Sequence, residues 1–498
     1  MISKSRFILG QQCLKSLWLD SRNIPTTNPL DKSANERLKA GNEVGEAAKN
    51  LFPGGVNVEY HPSDFQKMCD LTSELIRSGE KIIYEASFFA DNVFIRVDIM
   101  KKTSKGWDIY EVKSSTKAHK YHEEDAALQW HVLKQINYLT LNNIFIVVLN
   151  NKYLKSGDII HDELFNIKPV TRYVKANQSN IKEHLKVTEK VLLQEREPRI
   201  KIGSHCKKPH QCEYFNKCWP ANINNIDSIF NLYRLNLEKK LSLLDKGEDI
   251  FKKIKDRVDL TTTQKNQIKA HEQNQPILNK SKINDFISSV KYPISYLDFE
   301  TFTDAIPLFD GQKPYMQMPF QYSLHIQNNI DENLGLSENH FEFIAKVKDD
   351  PRRFIAESLL KNLPSDGSIM AYNQSFEKNC IETLAKHCPD LSDELLALND
   401  RFVDLIVPFR GGGYYDSNFK GSFSIKSVLP ALCPDDEILS YKKLKIKDGS
   451  TALNSYKEMR LKSVKERADI RKELFKYCRL DTFAMYSIYM ELIKSART

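Results

Sequence analysis

The stretch SYLDFET at residues 295–301 predicts a β-strand that carries two carboxylates on one face. The period of two along a strand places Tyr296, Asp298 and Glu300 together and turns the apolar residues between them to the opposite face. Buried carboxylates are costly unless a divalent cation, a shared proton or a basic partner offsets their charge. The stretch favours a metal site about as well as it favours an edge strand whose carboxylates face water.

Length and composition set the broad class of the protein. The 498 residues suffice for two or three domains, and 41% hydrophobic with 28% charged residues is typical of a soluble globular protein. No apolar run could span a bilayer, and the patch at residues 7–10 is too short for a signal peptide, so we expect a cytoplasmic protein without a membrane partner. In that reducing compartment the nine cysteines favour buried thiols or metal ligands over disulfides.

Strand patterns dominate the middle of the first 220 residues. Strands are predicted at 82–89, 93–100 and 107–113, with turns between them, as an antiparallel meander. Helical patterns precede the strands at 12–19 and 35–51.

A set of charged residues follows this meander. Glu111 and Lys113 share a strand face, Asp98 lies on the neighbouring strand, and a helix beginning at residue 124 places Asp125 and Gln129 on one face. Two carboxylates here could hold Mg²⁺ while the ammonium group steadies the attacking water or the phosphate. The alternative is a ladder of salt bridges on an exposed strand.

This order of acid, E-x-K triplet and glutamine-bearing helix resembles the RecB-like branch of the PD-(D/E)XK nucleases, and is similar to the CRISPR-associated iron-sulfur exonucleases. The resemblance implies a restriction-endonuclease-like α/β core in which Asp98 and Glu111 bind metal. It also implies catalytic roles for these two acids and for Lys113 and Gln129, with Glu85 as an accessory acid.

The sequence departs from that pattern at two helical positions. Gly45 stands where this branch often has a histidine, followed by Glu46 as a conceivable substitute, and Leu133 replaces a tyrosine. These departures favour an alternative in which the first domain binds nucleic acid without cutting it.

Four cysteines flank the same region. Cys206, Cys212 and Cys218 are spaced evenly in a cation-rich segment, and Cys13 lies near the start of the chain. Four thiolates suffice for tetrahedral zinc or for an iron-sulfur cluster, and four unrelated thiols are the alternative. This arrangement, with one early cysteine and three late ones, resembles the set of cysteines that holds a structural 4Fe-4S cluster in RecB-like nucleases.

Residues 221–290 predict a helical connector. Helical periodicity runs over 227–244 and continues past Gly247 to residue 254, and the following segment to residue 276 is polar and rich in lysine. Its basic faces favour solvent exposure over binding of a phosphate backbone.

The last 200 residues supply further acids. Glu377 lies in the first turn of a helix that follows a strand at 368–373, and Tyr477 and Asp481 are four residues apart on one face of the last helix. A phenol and a carboxylate so placed can orient a water molecule and hold a metal. For Glu377 the alternative is a simple pairing with the helix dipole. For Tyr477 and Asp481, taken singly, ordinary decoration of a helix surface is the better explanation.

Together with the opening strand, these residues resemble the DEDD exonucleases of the DnaQ-like, RNase H-like fold, in the tyrosine-bearing subclass. The resemblance implies metal binding by Asp298, Glu300, Glu377 and Asp481, with Tyr477 also catalytic. Glu377 stands where the family normally has aspartate. The resemblance also implies substrate contacts for two residues, Asn373 and Lys426.

The sequence therefore predicts an α/β multidomain protein, with a RecB-like domain at 1–220, a connector at 221–290 and an RNase H-like domain at 291–498. We expect a nuclease that uses Mg²⁺ or Mn²⁺, with a two-metal DEDD site in the C-terminal domain and a second, RecB-like site in the N-terminal domain. The expected activity is that of a 3′–5′ exonuclease acting on single-stranded DNA ends, in DNA repair or defence against mobile DNA. The net charge of +8 permits such a partner, and DNA is favoured over RNA. The alternatives are an RNA exonuclease active only in the C-terminal domain, and a noncatalytic nucleic-acid-binding or adaptor protein.

Overall fold

The computed structural model describes residues 2–27, 32–434 and 437–497. The chain divides into two compact units, Met1–Trp219 with Asp304–Met316, and Pro220–Thr303 with Gln317–Thr498. Each unit combines a mixed β-sheet with helices, which confirms the predicted α/β multidomain class at that level. Among the described residues, none of the helices has the length and apolar character needed to cross a bilayer.

The first unit contains seven strands and nine α-helices among its described residues. They are β1 (Ile2–Ser3), α1 (Lys4–Gln12), α2 (Leu14–Ser21), α3 (Lys32–Lys49), β2 (Val56–Asn57), α4 (Phe65–Arg77), β3 (Ile82–Ala90), β4 (Val93–Thr103), β5 (Gly106–Lys113), α5 (Lys120–Leu133), β6 (Leu141–Leu149), α6 (His161–Leu164), β7 (Phe165–Pro169), α7 (Thr171–Ala176), α8 (Gln178–Leu193) and α9 (Phe215–Cys218).

The sheet of the first unit has the order β2-β3-β4-β5-β6-β7, and β1 pairs with β4. Strands β3, β4 and β5 form the predicted antiparallel meander, and β5 pairs with β6 in parallel. Apolar side chains of α4, α5 and α8 pack on one face and those of α3 on the other. Helix α5 begins four residues earlier than predicted, at Lys120.

The second unit contains the remaining described elements. They are α10 (Leu237–Asp245), α11 (Thr262–Gln273), β8 (Ile277–Leu278), α12 (Lys280–Ser289), β9 (Ile294–Phe302), β10 (Met318–Gln327), β11 (His340–Ile344), α13 (Pro351–Asn362), β12 (Ser368–Ala371), α14 (Ser375–His387), α15 (Ser392–Ala397), β13 (Phe402–Asp404), α16 (Val407–Arg410), β14 (Tyr414–Tyr415), α17 (Ile425–Leu432), α18 (Gly449–Glu458) and α19 (Val464–Arg497).

Strand β9 lies inside the five-stranded sheet of order β11-β10-β9-β12-β13. It pairs antiparallel with β10 and parallel with β12, so the edge-strand interpretation is wrong. Leu297 and Phe299 pack in the core formed with α13 and α14, and Tyr296 packs in the core that contains α19. The predicted division of β9 into two faces is confirmed.

The segment from residue 221 to 290 is not the long helical run that its periodicity predicted. Short 3₁₀ turns at Ile229–Asn231 and Phe251–Lys253 flank a separate helix, α10. The Asn236 side chain accepts a hydrogen bond from the backbone N–H of Lys239 and begins that helix anew, and Gly247, at φ +75°, lies just beyond its end. Residues of α11 and α12 contribute to the same core as α19.

Helix α19 is 34 residues long and has neither glycine nor proline to interrupt it. Its buried face follows helical spacing through Leu474, Tyr477, Asp481, Met485 and Ile488. Tyr477 and Asp481 therefore lie on the face that packs inward.

Candidate metal centre

Strand β9 and helix α19 bring three carboxylates together. Asp298 and Glu300 come from β9 and Asp481 from α19, and one oxygen of each lies within 4.8 Å of the other two. Glu300 and Asp481 are buried and Asp298 is half-buried. A metal site with three protein ligands needs three acidic, histidine or cysteine side chains whose ligand atoms lie close together. Among the residues that the structure describes, these three acids meet that condition.

The surroundings of these acids disfavour three negative charges without a cation. Burial, and then the neighbouring Asp481, raise the pKa values of both Asp298 and Glu300 well above the usual carboxyl range. Burial also raises the pKa of Asp481, to about 6, although hydrogen bonds from Tyr441 and Tyr477 and the charge of Lys426 oppose that rise.

Glu377 lies next to this group but outside the set of three. It is buried in the first turn of α14, and its negative charge adds to the raised pKa values of Asp298 and Glu300. Burial raises the pKa of Glu377 itself to about 8. Its Oε2 atom is buried without a hydrogen-bond partner, which leaves that oxygen free to bind a ligand.

Two tyrosines and a lysine border the acids on one side. The Tyr441 hydroxyl donates a hydrogen bond to Oδ1 of Asp481, and the Tyr441 and Tyr477 rings lie 6.2 Å apart. Lys426 Nζ lies 5.6 Å from the centroid of each ring and donates to the carbonyl oxygen of Lys447 at 2.7 Å. The sequence-predicted Tyr477 and Lys426 thus lie beside the acids.

Tyr441 and Cys478 are two members of the site that the sequence did not reveal. Tyr441 lies in a 3₁₀ turn outside every motif that we recognised. Cys478 follows the tyrosine of the motif, and its Sγ atom is 3.4 Å from Oδ2 of Asp298. Only the helical neighbourhood of Tyr477 could have drawn attention to Cys478.

Asn373 shapes the turn between β12 and α14. Its φ is +72°, and its backbone N–H donates to the carboxylate of Asp404, as do those of Gln374 and Ile406. Arg410 donates to the side-chain oxygen of Asn373 at 3.4 Å. Asn373 therefore positions the helix that carries Glu377, and a substrate contact by its side chain stays a prediction.

The chemistry of the second-unit acids fits Mg²⁺ or Mn²⁺. These hard cations prefer carboxylate oxygens, and the set consists of three clustered carboxylates and the unpartnered oxygen of Glu377. A divalent ion would stabilise the ionised form that burial opposes.

The acids of the first unit form a different arrangement. Lys113 Nζ lies 2.6 Å from Oε1 of Glu111 and 2.6 Å from Oδ2 of Asp125, and Lys4 Nζ lies 2.5 and 3.0 Å from the same two atoms. Gln129 donates to the other oxygen of Glu111. Burial alone would raise the pKa of Glu111, but the two ammonium groups lower it well below its usual range.

Two predicted acids of the first unit, Asp98 and Glu85, have partners other than Lys4 and Lys113. Asp98 accepts a hydrogen bond from the backbone N–H of Val112 at 2.6 Å, and burial followed by the charge of Glu111 raises its pKa to about 8. Glu85 pairs with Arg96 at 3.0 Å. The oxygens of Glu111 are already taken by cations and an amide, so the side chains as arranged do not fit a divalent metal.

Gly45 and Leu133 occupy unremarkable places in their helices. A Cβ atom on Gly45 would meet nothing within 4 Å. The position on α3 where the resemblance expects a histidine therefore has room for a side chain. Leu133 is buried in the core at the end of α5.

The four predicted cysteine ligands line one small cavity. They are Cys13, Cys206, Cys212 and Cys218, and Cys13 lies at the junction of α1 and α2. Thiolates at about 2.3 Å from one tetrahedral zinc ion lie about 3.8 Å apart. Within the described part of the chain, no three cysteine sulfurs lie within 4.8 Å of one another, so they are gathered but not in zinc geometry.

Comparisons with known proteins place the β9 acids inside a matched region. A family model described as a domain of unknown function, DUF2779, matches residues 295–424. Uncharacterized protein MG366 of Mycoplasma genitalium is 28% identical over 233 residues, which are 43% of this chain and 34% of that protein. Its Mycoplasma pneumoniae homolog is 25% identical over 280 residues, which are 53% of this chain and 42% of that protein.

The chain thus matches less than half the length of these two relatives. No solved structure is significantly similar to it.

The raised pKa of Glu377 predicts that the metal-free protein loses stability as the pH rises. The unfolded carboxyl titrates near 4.5 and the folded one near 8, so the stability from its protonated form is complete below about 4.5 and is lost as the pH rises through about 8. Glu377→Gln should remove part of this loss, on the order of a few kcal/mol.

Urea unfolding in EDTA at pH 5.5, 7 and 8 measures this effect. The free energy of unfolding of Glu377→Gln relative to the parent should increase with pH. Glu382→Gln is the matched control, because Glu382 is 45% exposed on the same helix. Parallel pH profiles for the parent and Glu377→Gln would contradict the assignment.

Proposed function

We propose that the second unit hydrolyses phosphodiester bonds in nucleic acid with divalent metal, as a 3′–5′ exonuclease acting on single-stranded DNA ends. The observation that carries the proposal is the approach of Asp298, Glu300 and Asp481 oxygens to within 4.8 Å of one another. A strand and a helix distant in sequence bring together there three of the four acids that the DEDD resemblance implies, and Glu377, the fourth, lies on the adjacent helix.

The three acids would hold Mg²⁺ or Mn²⁺, and Glu377 would offer a further oxygen from the adjacent helix. When bound, such metal supplies activation of a water molecule and stabilisation of charge on the leaving oxygen.

The neighbouring phenols act as hydrogen-bond donors in this proposal. Burial, and then the charge of Asp481, raise the pKa values of Tyr477 and Tyr441 far above neutrality, so both hydroxyls keep their protons. Tyr441 fixes the orientation of the Asp481 carboxylate, and Tyr477 is placed to orient water. Lys426, which is exposed, is suited to contact a substrate phosphate.

The substrate follows from the same requirements. A terminal nucleotide has to be unpaired to bring its phosphodiester to a site between a strand and a helix, which favours single-stranded ends. The net charge of +8 supports an anionic polymer as partner. DNA is the preferred polymer in this proposal and RNA is the alternative. Digestion of both polymers distinguishes the two.

The first unit is proposed as a nucleic-acid-binding platform, and the alternative is a second nuclease site of the RecB-like kind. The platform is favoured because Lys4 and Lys113 already neutralise Glu111. The cavity lined by the four cysteines is proposed to hold a structural 4Fe-4S cluster. Such a cluster separates its thiolates more widely than zinc does, because iron atoms lie between them.

Digestion of end-labelled DNA and RNA tests the nuclease proposal. With Mg²⁺ or Mn²⁺ the wild type should shorten single-stranded DNA from its 3′ end, and Asp298→Asn should lower the rate by about 100-fold or more through lost metal affinity. Glu111→Gln should leave that rate unchanged.

Asp331→Asn is the matched control for this assay, because Asp331 is an exposed acid of the same unit. Cleavage that survives Asp298→Asn but disappears in Glu111→Gln would move the activity to the first unit. Faster digestion of RNA than of DNA would overturn the preference for DNA, and absence of all cleavage would favour a noncatalytic binding protein.

Purification without oxygen tests the proposed cluster. The protein should be brown and contain four iron atoms per chain, and Cys212→Ser should lose most of that iron, because the cubane would be left with three thiolates. Cys69→Ser is the control, since Cys69 lies on α4 away from the cavity-lining set. A colourless protein with zinc and no iron would contradict the cluster.

A further inference from the structure

Lys4 lies between two acids of the first unit. Its Nζ atom is 2.5 Å from Oε1 of Glu111 and 3.0 Å from Oδ2 of Asp125. Both carboxylate side chains are almost completely buried, at 1% and 2% exposure, while the Lys4 side chain is 25% exposed. The ammonium group therefore bridges the two buried acids.

The backbone around Lys4 holds the side chain in this place. Ile2 and Ser3 pair in parallel with β4, and the N–H of Ile2 donates to the carbonyl oxygen of Asn92 at 2.8 Å. Ser3 caps helix α1 by accepting a hydrogen bond from the N–H of Arg6. Ile2 and Phe7, on either side of Lys4, are fully buried in the core of the unit.

The two carboxylates that Lys4 contacts are balanced by two ammonium groups of the chain. Lys113 Nζ contacts the same two oxygens as Lys4, at 2.6 Å each. The other oxygen of Glu111 accepts a hydrogen bond from Gln129. A divalent cation at Glu111 would have to displace an ammonium group or lie against two of them, and like charges so close repel strongly in a buried site.

Lys113 belongs to the E-x-K triplet, whereas Lys4 lies outside the pattern of acid, E-x-K triplet and glutamine-bearing helix. Lys4 comes from a separate element, α1. It is therefore the cation whose removal would leave the motif residues in place.

We propose that Lys4 is an internal counter-cation that closes the acidic site of the first unit to divalent metal ions. Replacement of Lys4 by an uncharged side chain leaves two buried carboxylates, Glu111 and Asp125, with one ammonium group between them, that of Lys113. A hard divalent cation can then take the place of the Lys4 ammonium group on these two acids and complete its shell with water. The inference concerns the first unit alone and does not depend on the nuclease activity proposed for the second.

Binding of Mn²⁺ to the full chain tests this inference. Asp298→Asn with Asp481→Asn first removes two acids of the candidate metal centre, so that the remaining Mn²⁺ signal reports on the first unit. In that background, electron paramagnetic resonance should detect no Glu111-dependent Mn²⁺ while Lys4 is present. Adding Lys4→Met should create a Mn²⁺ site that disappears when Glu111→Gln is added.

Arg6→Met is the matched control. Arg6 lies on the same helix and pairs with Asp20 at 2.9 Å, so its loss should create no Mn²⁺ site. Lys4→Gln provides a second test that keeps a hydrogen-bond donor, and circular dichroism checks that each variant is folded. Glu111-dependent Mn²⁺ binding with Lys4 present would overturn the inference, and so would folded Lys4→Met and Lys4→Gln proteins that bind none.

Discussion

Repulsion among three carboxylates is the constraint on which the second unit depends. At an effective dielectric constant of about 20, two unit charges 4.8 Å apart repel by about 3.5 kcal/mol, and Asp298, Glu300 and Asp481 approach within that distance. Burial adds to this cost and raises the pKa of each group. The chain can relieve the repulsion by holding protons or by binding a divalent cation, and the cation is the response on which the proposed nuclease activity rests.

The fold maintains this costly arrangement through elements that have little freedom to move. Strand β9 is hydrogen-bonded on both sides, and α19 is packed against it along a long buried face. Tyr441 donates a hydrogen bond to Asp481, and the thiol of Cys478 lies next to Asp298. These contacts fix the orientation of the two carboxylates. The first unit resolves a similar problem in another way, because Lys4 and Lys113 supply positive charge from within the chain.

Local periodicity was enough to predict which side chains of β9 and α19 lie on the same face. Alternation along β9 placed Asp298 and Glu300 on the face that meets α19, and the spacing of four residues placed Tyr477 beside Asp481. The positions of Lys4 and Tyr441 could not be predicted, because each reaches its acid through tertiary packing across a long sequence separation. Helical periodicity failed at residues 227–254, where the Asn236 cap and the left-handed Gly247 divide the run into short pieces.

We propose that the clustered carboxylates of the second unit form a metal site, because Lys426 acts on them only from a distance, whereas Glu111 and Asp125, which are bridged by two lysines in direct contact, do not. Anomalous diffraction from crystals of the wild-type chain soaked in Mn²⁺ measures both sites at once. We expect a Mn²⁺ peak among Asp298, Glu300 and Asp481, and none at Glu111. A peak at Glu111, or the absence of one at the three acids of the second unit, would contradict it.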